Sequence, residues 1–264
     1  MLKNINGLIL DMDGVIWKAD TPLGDLTAIF QRIRDVGLEY VFATNNSTRT
    51  PAQYIKRLSD FGIEAGSHQV VTSSLAAAAL LARRFPQGSC IYMIGEDGLR
   101  EALEQRHFRI LSDGEAEGAQ AVIMGLDRSI SFQKASAAAL LVRAGIPFFA
   151  TNADKTFPTP RGEIPGAGAW LSVLITATGV QPLIAGKPFP YLMNMALEIL
   201  GTSHADTLVI GDRLDTDIAA GQAAGCPTAL VLSGISTRQE AEAWIPHVDL
   251  ITENLSSLCD QLGL

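Results

Sequence analysis

Gly7-Leu8-Ile9-Leu10-Asp11-Met12-Asp13-Gly14-Val15 decides how this chain is read. An unbroken apolar run is the pattern of a strand buried on both faces, as parallel sheets require. Two carboxylates one residue apart and a glycine follow at once, so both acids fall where the strand ends. In open α/β sheets, ligands bind in the crevice outside the carboxyl ends of the strands. Asp-x-Asp-Gly is also ordinary strand-to-turn chemistry, so the weight of this reading comes from the rest of the chain.

Leu26, Ile29, Phe30, Ile33 and Val36 recur at helical spacing between Thr21-Pro22 and Gly37, the marks of a capped amphipathic helix. Residues 40–43 read as a second strand, ending in Thr44-Asn45-Asn46-Ser47. Thr50-Pro51-Ala52-Gln53 then opens a helix with a hydroxyl cap, a proline at the first position and a capping-box glutamine. Further strands are expected at 70–72, 91–94, 108–111, 121–124 and 147–150, with helices at 74–85, 99–105, 132–144 and 170–177. Pro158, Pro160, Gly162, Pro165, Gly166 and Gly168 mark the stretch before that last helix as a loop. From Pro182 the opening style returns: strand, turn and helix start at 183–188, and a strand at 207–210 that runs into Gly211-Asp212-Arg213-Leu214-Asp215-Thr216-Asp217. Strands alternating with helices of about ten residues imply βαβ units, hence a Rossmann-like, doubly wound parallel sheet. A six-residue echo, Val41-Phe42-Ala43-Thr44-Asn45-Asn46 against Phe148-Phe149-Ala150-Thr151-Asn152-Ala153, suggests two strands with comparable hydroxyl-and-amide ends.

The 264 residues are 47% apolar and 18% charged, with a formal net charge of −8. That balance argues against a nucleic-acid binder, whose affinity rests on Lys and Arg neutralising phosphates. A small anionic substrate needs only local positive charge and stays open. Cys90, Cys226 and Cys259 are odd in number and far apart, fitting neither a disulfide framework nor a metal motif. His68, His107, His204 and His247 have no metal spacing and are expected at the surface. Met1-Leu2-Lys3-Asn4 runs into the first strand without an apolar signal region, and Arg143 and Pro147 interrupt the longest candidate membrane span. A cytoplasmic protein with no membrane partner is the expectation.

Four strand ends thus deliver polar groups: Asp11 and Asp13, Thr44 and Asn45, Lys187, and Asp212 with Asp217. Each has a structural explanation alone, as turn, loop or solvated charge; together they share one topological position. The residue types fit phosphoryl transfer, which needs a nucleophile, a metal, donors for the equatorial oxygens and a group that handles the leaving-group proton. A carboxylate can form an aspartyl-phosphate, and Mg²⁺ is commonly held by one or two carboxylates with waters and substrate oxygens. Ionised aspartates around one point repel by roughly 4 kcal/mol per pair at 4 Å and an effective dielectric of 20. A bound Mg²⁺ would relieve that repulsion.

In these motifs the chain resembles the haloacid dehalogenase superfamily of phosphatases. Asp11-Met12-Asp13-Gly14 matches the first motif, Thr44-Asn45-Asn46 the second, Lys187 in Gly-Lys-Pro the third, and Gly211-Asp212 through Thr216-Asp217 the fourth. The resemblance implies that Asp11 is nucleophile and metal ligand. It makes Asp13 the general acid and then base, lending its backbone carbonyl to the metal. Thr44, Asn45 and Asn46 would bind the substrate, Lys187 would balance charge, Asp212 would complete the ligand set and Asp217 would orient metal-bound water. Arg213 and Asp215 receive no role.

Thirty residues separate Asp13 from Thr44, already used by a helix and a strand, whereas 139 separate Ser47 from Lys187. A cap must lie in the second gap: residues 73–181, between core segments 1–72 and 182–264. Its βαβ pattern resembles the α/β cap of the NagD-like branch, which includes 4-nitrophenyl phosphate, phosphoglycolate, pyridoxal phosphate and nucleotide phosphatases. The segment from Ala150 to Asp154 is similar to that branch as well, so Asn152 and Asp154 are expected to help select the leaving group of a small phosphorylated substrate. The resemblance also implies a homodimer through the cap. Rival readings are a phosphomutase, which passes the same intermediate to a second hydroxyl, and a non-turnover phosphoaspartate switch, against which Asp13 argues. A Rossmann oxidoreductase is disfavoured, since the first strand ends in acids rather than in Gly-x-Gly-x-x-Gly. Trp17 either lines the entrance or packs.

Overall fold

A computed structural model describes residues 5–159 and 161–264. The readings of Met1 to Asn4 and of Pro160 lie outside the described residues. The chain divides into two compact units, the first of residues 1–44, 51–71 and 187–264, the second of 45–50 and 72–186.

The first unit is built on a six-stranded sheet in the order Leu250–Thr252, Thr228–Val231, Thr207–Gly211, Gly7–Leu10, Glu39–Thr44, Val70–Thr72. The pairings of Gly7–Leu10 with both its neighbours are parallel, and so are the two beyond Thr207–Gly211. Every residue of Gly7–Leu10 and Thr207–Gly211 is buried, as an unbroken apolar run in a doubly covered sheet demands. The chain moves to one side of Gly7–Leu10 through Glu39–Thr44 and returns on the other side as Thr207–Gly211. Strand order therefore reverses beside the first strand, and this switch point is where the crevice of a doubly wound sheet opens. The helix Leu26–Asp35 buries Leu26, Ile29, Phe30 and Ile33, with Phe30 set against Tyr40 and Phe42 at ring separations of 5.0 and 5.6 Å.

One expectation is corrected here. Thr21-Pro22 does not lead into that helix; it pairs antiparallel with Trp17–Lys18. The cap is Asp25, whose carboxylate accepts the Ala28 N–H at 3.0 Å.

The second unit holds a five-stranded sheet, Leu183–Ile184, Phe148–Ala150, Ala121–Met124, Cys90–Ile94, Arg109–Leu111, parallel throughout. Leu183–Ile184, expected with the core segment 182–264, instead pairs in register with Phe149 and Ala150 and so joins the second unit. The stretch read as a loop contains an antiparallel hairpin of Thr156–Thr159 and Gly162–Pro165. Its prolines misdirect, because a two-stranded ribbon has outward edges where a missing N–H costs nothing. Gly162 turns the chain with φ near 118°. No helix among the described residues is long and apolar enough to cross a membrane.

Residues 45–50 belong to the second unit through specific bonds. Ser73 and Ser74 hydroxyls donate to the carbonyls of Asn45 and Ser47 at 2.5 and 2.9 Å, and the Gly98 N–H donates to the Thr48 carbonyl at 3.1 Å.

Candidate active site

In the first unit the sheet continues one residue past Gly7–Leu10, where the Asp11 N–H donates to the Ile210 carbonyl at 2.9 Å. The chain then folds back on itself, with the Met12 carbonyl accepting the N–H groups of Val15, Ile16 and Trp17. Gly14 sits in this turn at φ 84°, and a Cβ there would lie 2.5 Å from the Asp212 carboxylate. The residue must be glycine on both counts.

Asp212 leaves the adjacent strand Thr207–Gly211 and is buried. Its Oδ2 accepts the Ile235 N–H at 2.8 Å, and a Cβ on Gly234 would fall 1.9 Å from the same oxygen. The loop after Thr228–Val231 therefore clamps Asp212 with backbone alone; Ser233 adds a bond from its hydroxyl to the Gly14 carbonyl at 2.7 Å. Asp217 comes from a wide helical turn, Leu214–Ile218, that bends back to the same strand end. Its Oδ2 accepts the N–H groups of Asp212 and Arg213 at 3.2 and 3.1 Å.

Lys187 draws these groups together. Its Nζ donates to Asp11 Oδ1 at 2.5 Å, Asp217 Oδ1 at 2.7 Å and the Ala43 carbonyl at 2.7 Å, and the residue is 2% exposed. Ala43 precedes Thr44, buried at the end of Glu39–Thr44. Asp11, Asp212 and Asp217 each offer a carboxylate oxygen within 4.8 Å of the others. Burial raises the Asp11 carboxyl well above its ordinary range; Lys187 pulls it down, while Asp217 and Asp212 push it further up. Burial and the Asp217 charge push Asp212 up to about 7, against the Ile235 N–H, Lys187 and Arg213. Burial alone would lower the Lys187 ammonium, but Asp11 and Asp217 outweigh it and raise its pKa. Three acids thus share one buried ammonium, an excess of negative charge that suits a divalent cation. Asp11 and Asp212 are the better placed of the three to ligate it, because both Asp217 oxygens already accept hydrogen bonds.

Asp13 is oriented by a residue whose role the sequence left between entrance and packing. Trp17 is fully buried, and its indole N–H donates to Asp13 Oδ1 at 2.9 Å. Ser233, Gly234 and Ile235 were also missed, although Leu232-Ser233-Gly234 follows a strand just as the other site loops do. Arg213 and Asp215 pair with each other at 3.1 Å at the surface. The four histidines are exposed, and Cys90, Cys226 and Cys259 are free thiols.

The second unit gathers the remaining candidates. Asn45 Nδ2 donates to Asp154 Oδ1 at 3.0 Å, and Asn152 Nδ2 donates to Asp154 Oδ2 at 2.8 Å. Thr151 donates to Asn152 Oδ1 at 2.9 Å. The two halves of the sequence echo therefore converge on one carboxylate, each through its asparagine. Asn46 turns inward locally, its Oδ1 accepting the N–H and hydroxyl of Thr48 at 3.0 and 2.8 Å. Gly186 lies against this group, since a Cβ there would be 2.5 Å from Asn45 Oδ1.

Residues 8–109 match the family model of haloacid dehalogenase-like hydrolases, and residues 184–258 match a second, HAD-hydrolase-like model. The chain is 40% identical to the 5'-nucleotidase YutF of Bacillus subtilis over 96% of its own length and 98% of that protein's. It is 37% identical to an acid sugar phosphatase of Staphylococcus saprophyticus, over 91% and 92% of the two chains. Among solved structures, a glycerol phosphate phosphatase from Mycobacterium tuberculosis in complex with magnesium superposes with a TM-score of 0.90 at 34% identity, covering 97% of this chain and 77% of that one.

Proposed function

Since this chain belongs to the haloacid dehalogenase-like hydrolases, in their NagD-like branch, we propose that it is a Mg²⁺-dependent phosphatase of small phosphorylated metabolites working through an aspartyl-phosphate. The observation that carries this reading is the buried Lys187 joined to Asp11 and Asp217 where the strands end. Of the two carboxylates it holds, Asp11 is the more accessible, with 11% of its side chain exposed against 4% for Asp217. It is the one a substrate phosphorus can reach.

In this reading Asp11 attacks phosphorus while the Asp13 carboxyl protonates the departing ester oxygen; Asp13 then takes a proton from the water that hydrolyses the phosphoenzyme. Lys187 holds the Asp11 carboxylate in line and offsets charge on the transferred group. Thr44 and Asn45 supply donors to phosphoryl oxygens, with Asp154 fixing the Asn45 amide. Mg²⁺, held by Asp11, Asp212 and the Asp13 carbonyl, would supply the remaining charge neutralisation.

Residues 73–181 act as a cap in this proposal, with Asn152 and Asp154 contributing to the choice of substrate. The relatives' names span nucleotides, sugar phosphates and glycerol phosphate, and the substrate of this chain belongs to that class of small monoesters. Exposed Phe132, Leu140, Trp170 and Val173, from two helices of the second unit, support a homodimer through that unit. The free thiols suit a cytoplasmic location.

A panel of phosphorylated metabolites tests the reading, with phosphate release followed in Mg²⁺ and in EDTA. Wild type is expected to release inorganic phosphate only with Mg²⁺, and Asp11→Asn none. Transfer to a second substrate hydroxyl would point to a phosphomutase instead, and a stable phosphoprotein without turnover to a switch. Activity retained by Asp11→Asn refutes the assignment.

A further inference from the structure

Resting on the reading above, we propose that Trp17 is the positioning residue for proton transfer at Asp13: its indole N–H fixes the carboxylate orientation from which the proton reaches the leaving group. A buried indole N–H usually finds some acceptor. Here the acceptor is the one carboxylate assigned to proton transfer, and the ring that carries the donor is held from several directions. The Trp17 N–H donates to the Met12 carbonyl at 3.2 Å, and the Trp17 carbonyl accepts the Gly14 N–H at 2.7 Å. Both partners flank Asp13 in the chain. Phe61 packs on the ring at 5.9 Å between centroids, and the Arg57 guanidinium lies 4.2 Å from the ring centroid. Arg57 is itself tied to the Ala19 carbonyl and to Asp20. A cation over an indole is attracted by its π electrons; by drawing on them it makes the N–H a stronger donor.

The chemistry needs this kind of constraint. In the first half-reaction the bond from Asp11 oxygen to phosphorus forms as the ester P–O bond breaks, and the proton of the Asp13 carboxyl passes to the departing oxygen. In the second, water oxygen bonds to phosphorus as the Asp11 O–P bond breaks, and the Asp13 carboxylate takes a proton from that water. Indole can donate but not accept, so the oxygen it engages, Oδ1, is disfavoured as the seat of the proton. The proton is carried by Oδ2, on the side of the carboxyl turned from the indole.

The experiment compares kcat/KM of wild type and Trp17→Phe on an alkyl phosphate, glycerol 3-phosphate, and on 4-nitrophenyl phosphate. This parameter covers the steps through phosphoryl transfer, and nitrophenolate leaves without the protonation that an alkoxide requires. Losing the indole N–H should lower the alkyl-to-aryl ratio of kcat/KM by on the order of 10-fold or more, a fraction of what general acid catalysis supplies. Equal losses on both esters would mean that Trp17 only packs, and would overturn the proposal. If Trp17→Phe does not fold, 3-benzothienylalanine at position 17 keeps the ring shape, puts sulfur in place of N–H and is judged by the same ratio. Wild type that hydrolyses neither of these esters nor any member of the metabolite panel would instead sink the phosphatase reading, so the two failures are distinguishable.

Discussion

Replacing Lys187 with Met removes the ammonium bound to Asp11 and Asp217 while nearly keeping its volume. Asp11, Asp212 and Asp217 then face one another within 4.8 Å without that ammonium, Asp212 and Asp217 buried and Asp11 half-buried. At that separation and an effective dielectric of 20, each ionised pair repels by roughly 3 kcal/mol. Breaking a buried pair by deleting one partner costs about 3–5 kcal/mol, and for a chain of this length that lowers the melting temperature by on the order of 10 °C. The sign with pH follows from the directions of the shifts. Lys187 has a folded pKa above its unfolded value, so its stabilisation is complete throughout the neutral range and fades only in strong alkali. Asp11 and Asp212 are raised, so at pH 5 the variant relieves its repulsion by binding protons. The difference in melting temperature, measured in EDTA, should therefore be large at pH 8 and distinctly smaller at pH 5, and Mg²⁺ should stabilise the variant more than wild type. A Lys187→Met protein melting within about 2 °C of wild type at pH 8, or with equal losses at both pH values, would refute the electrostatic account.

Gly234→Ala should weaken Mg²⁺ binding by about 10-fold or more and cost roughly 1–3 kcal/mol, because its Cβ collides with an Asp212 held by a backbone bond; titration calorimetry and melting read both. Asp212, at about 7, must lose its proton to ligate a cation, so Mg²⁺ affinity should fall roughly 10-fold per pH unit below 7, with proton release on binding. The same shift makes the metal-free protein lose stability as pH rises from about 4 to 7, since the folded state holds that proton more tightly than the unfolded chain. Asp154→Ala removes the carboxylate that accepts from the amides of Asn45 and Asn152, and should raise KM for a phosphate ester more than it lowers kcat, while costing about 1–3 kcal/mol; steady-state kinetics and urea unfolding check the two effects.

The doubly wound sheet was readable because buried parallel strands write themselves as apolar runs, and because Asp11 and Asp212 each stand directly after one. What the sequence hid has physical reasons. The hairpin at 156–165 carries prolines that mean a break in a central strand but are tolerated in a ribbon with two free edges. Leu183–Ile184 is too short to reveal which sheet it joins. Asp25 competes for the cap with Thr21, and both have the right chemistry. Trp17 stayed between lining the entrance and packing because burial and hydrogen bonding of an indole leave the same trace in a sequence. The clamp on Asp212 is made of backbone N–H and missing Cβ atoms, so only the glycine at 234 could have signalled it. The meeting of Asn45 with Asp154, 109 residues away, is invisible to any local pattern.

That meeting bears on how these modules could be recombined. Exchanging residues 73–181 for a relative's would sever Asp154 from the asparagine it orients and set a foreign loop against Ser47, Thr48 and Gly186. The heritable block is discontinuous: residues 45–50 must travel with 72–186, so a chimera designed on the linear gap between motifs inherits a mismatched seam, whereas one cut on both sides of Asn45–Thr50 keeps its joints.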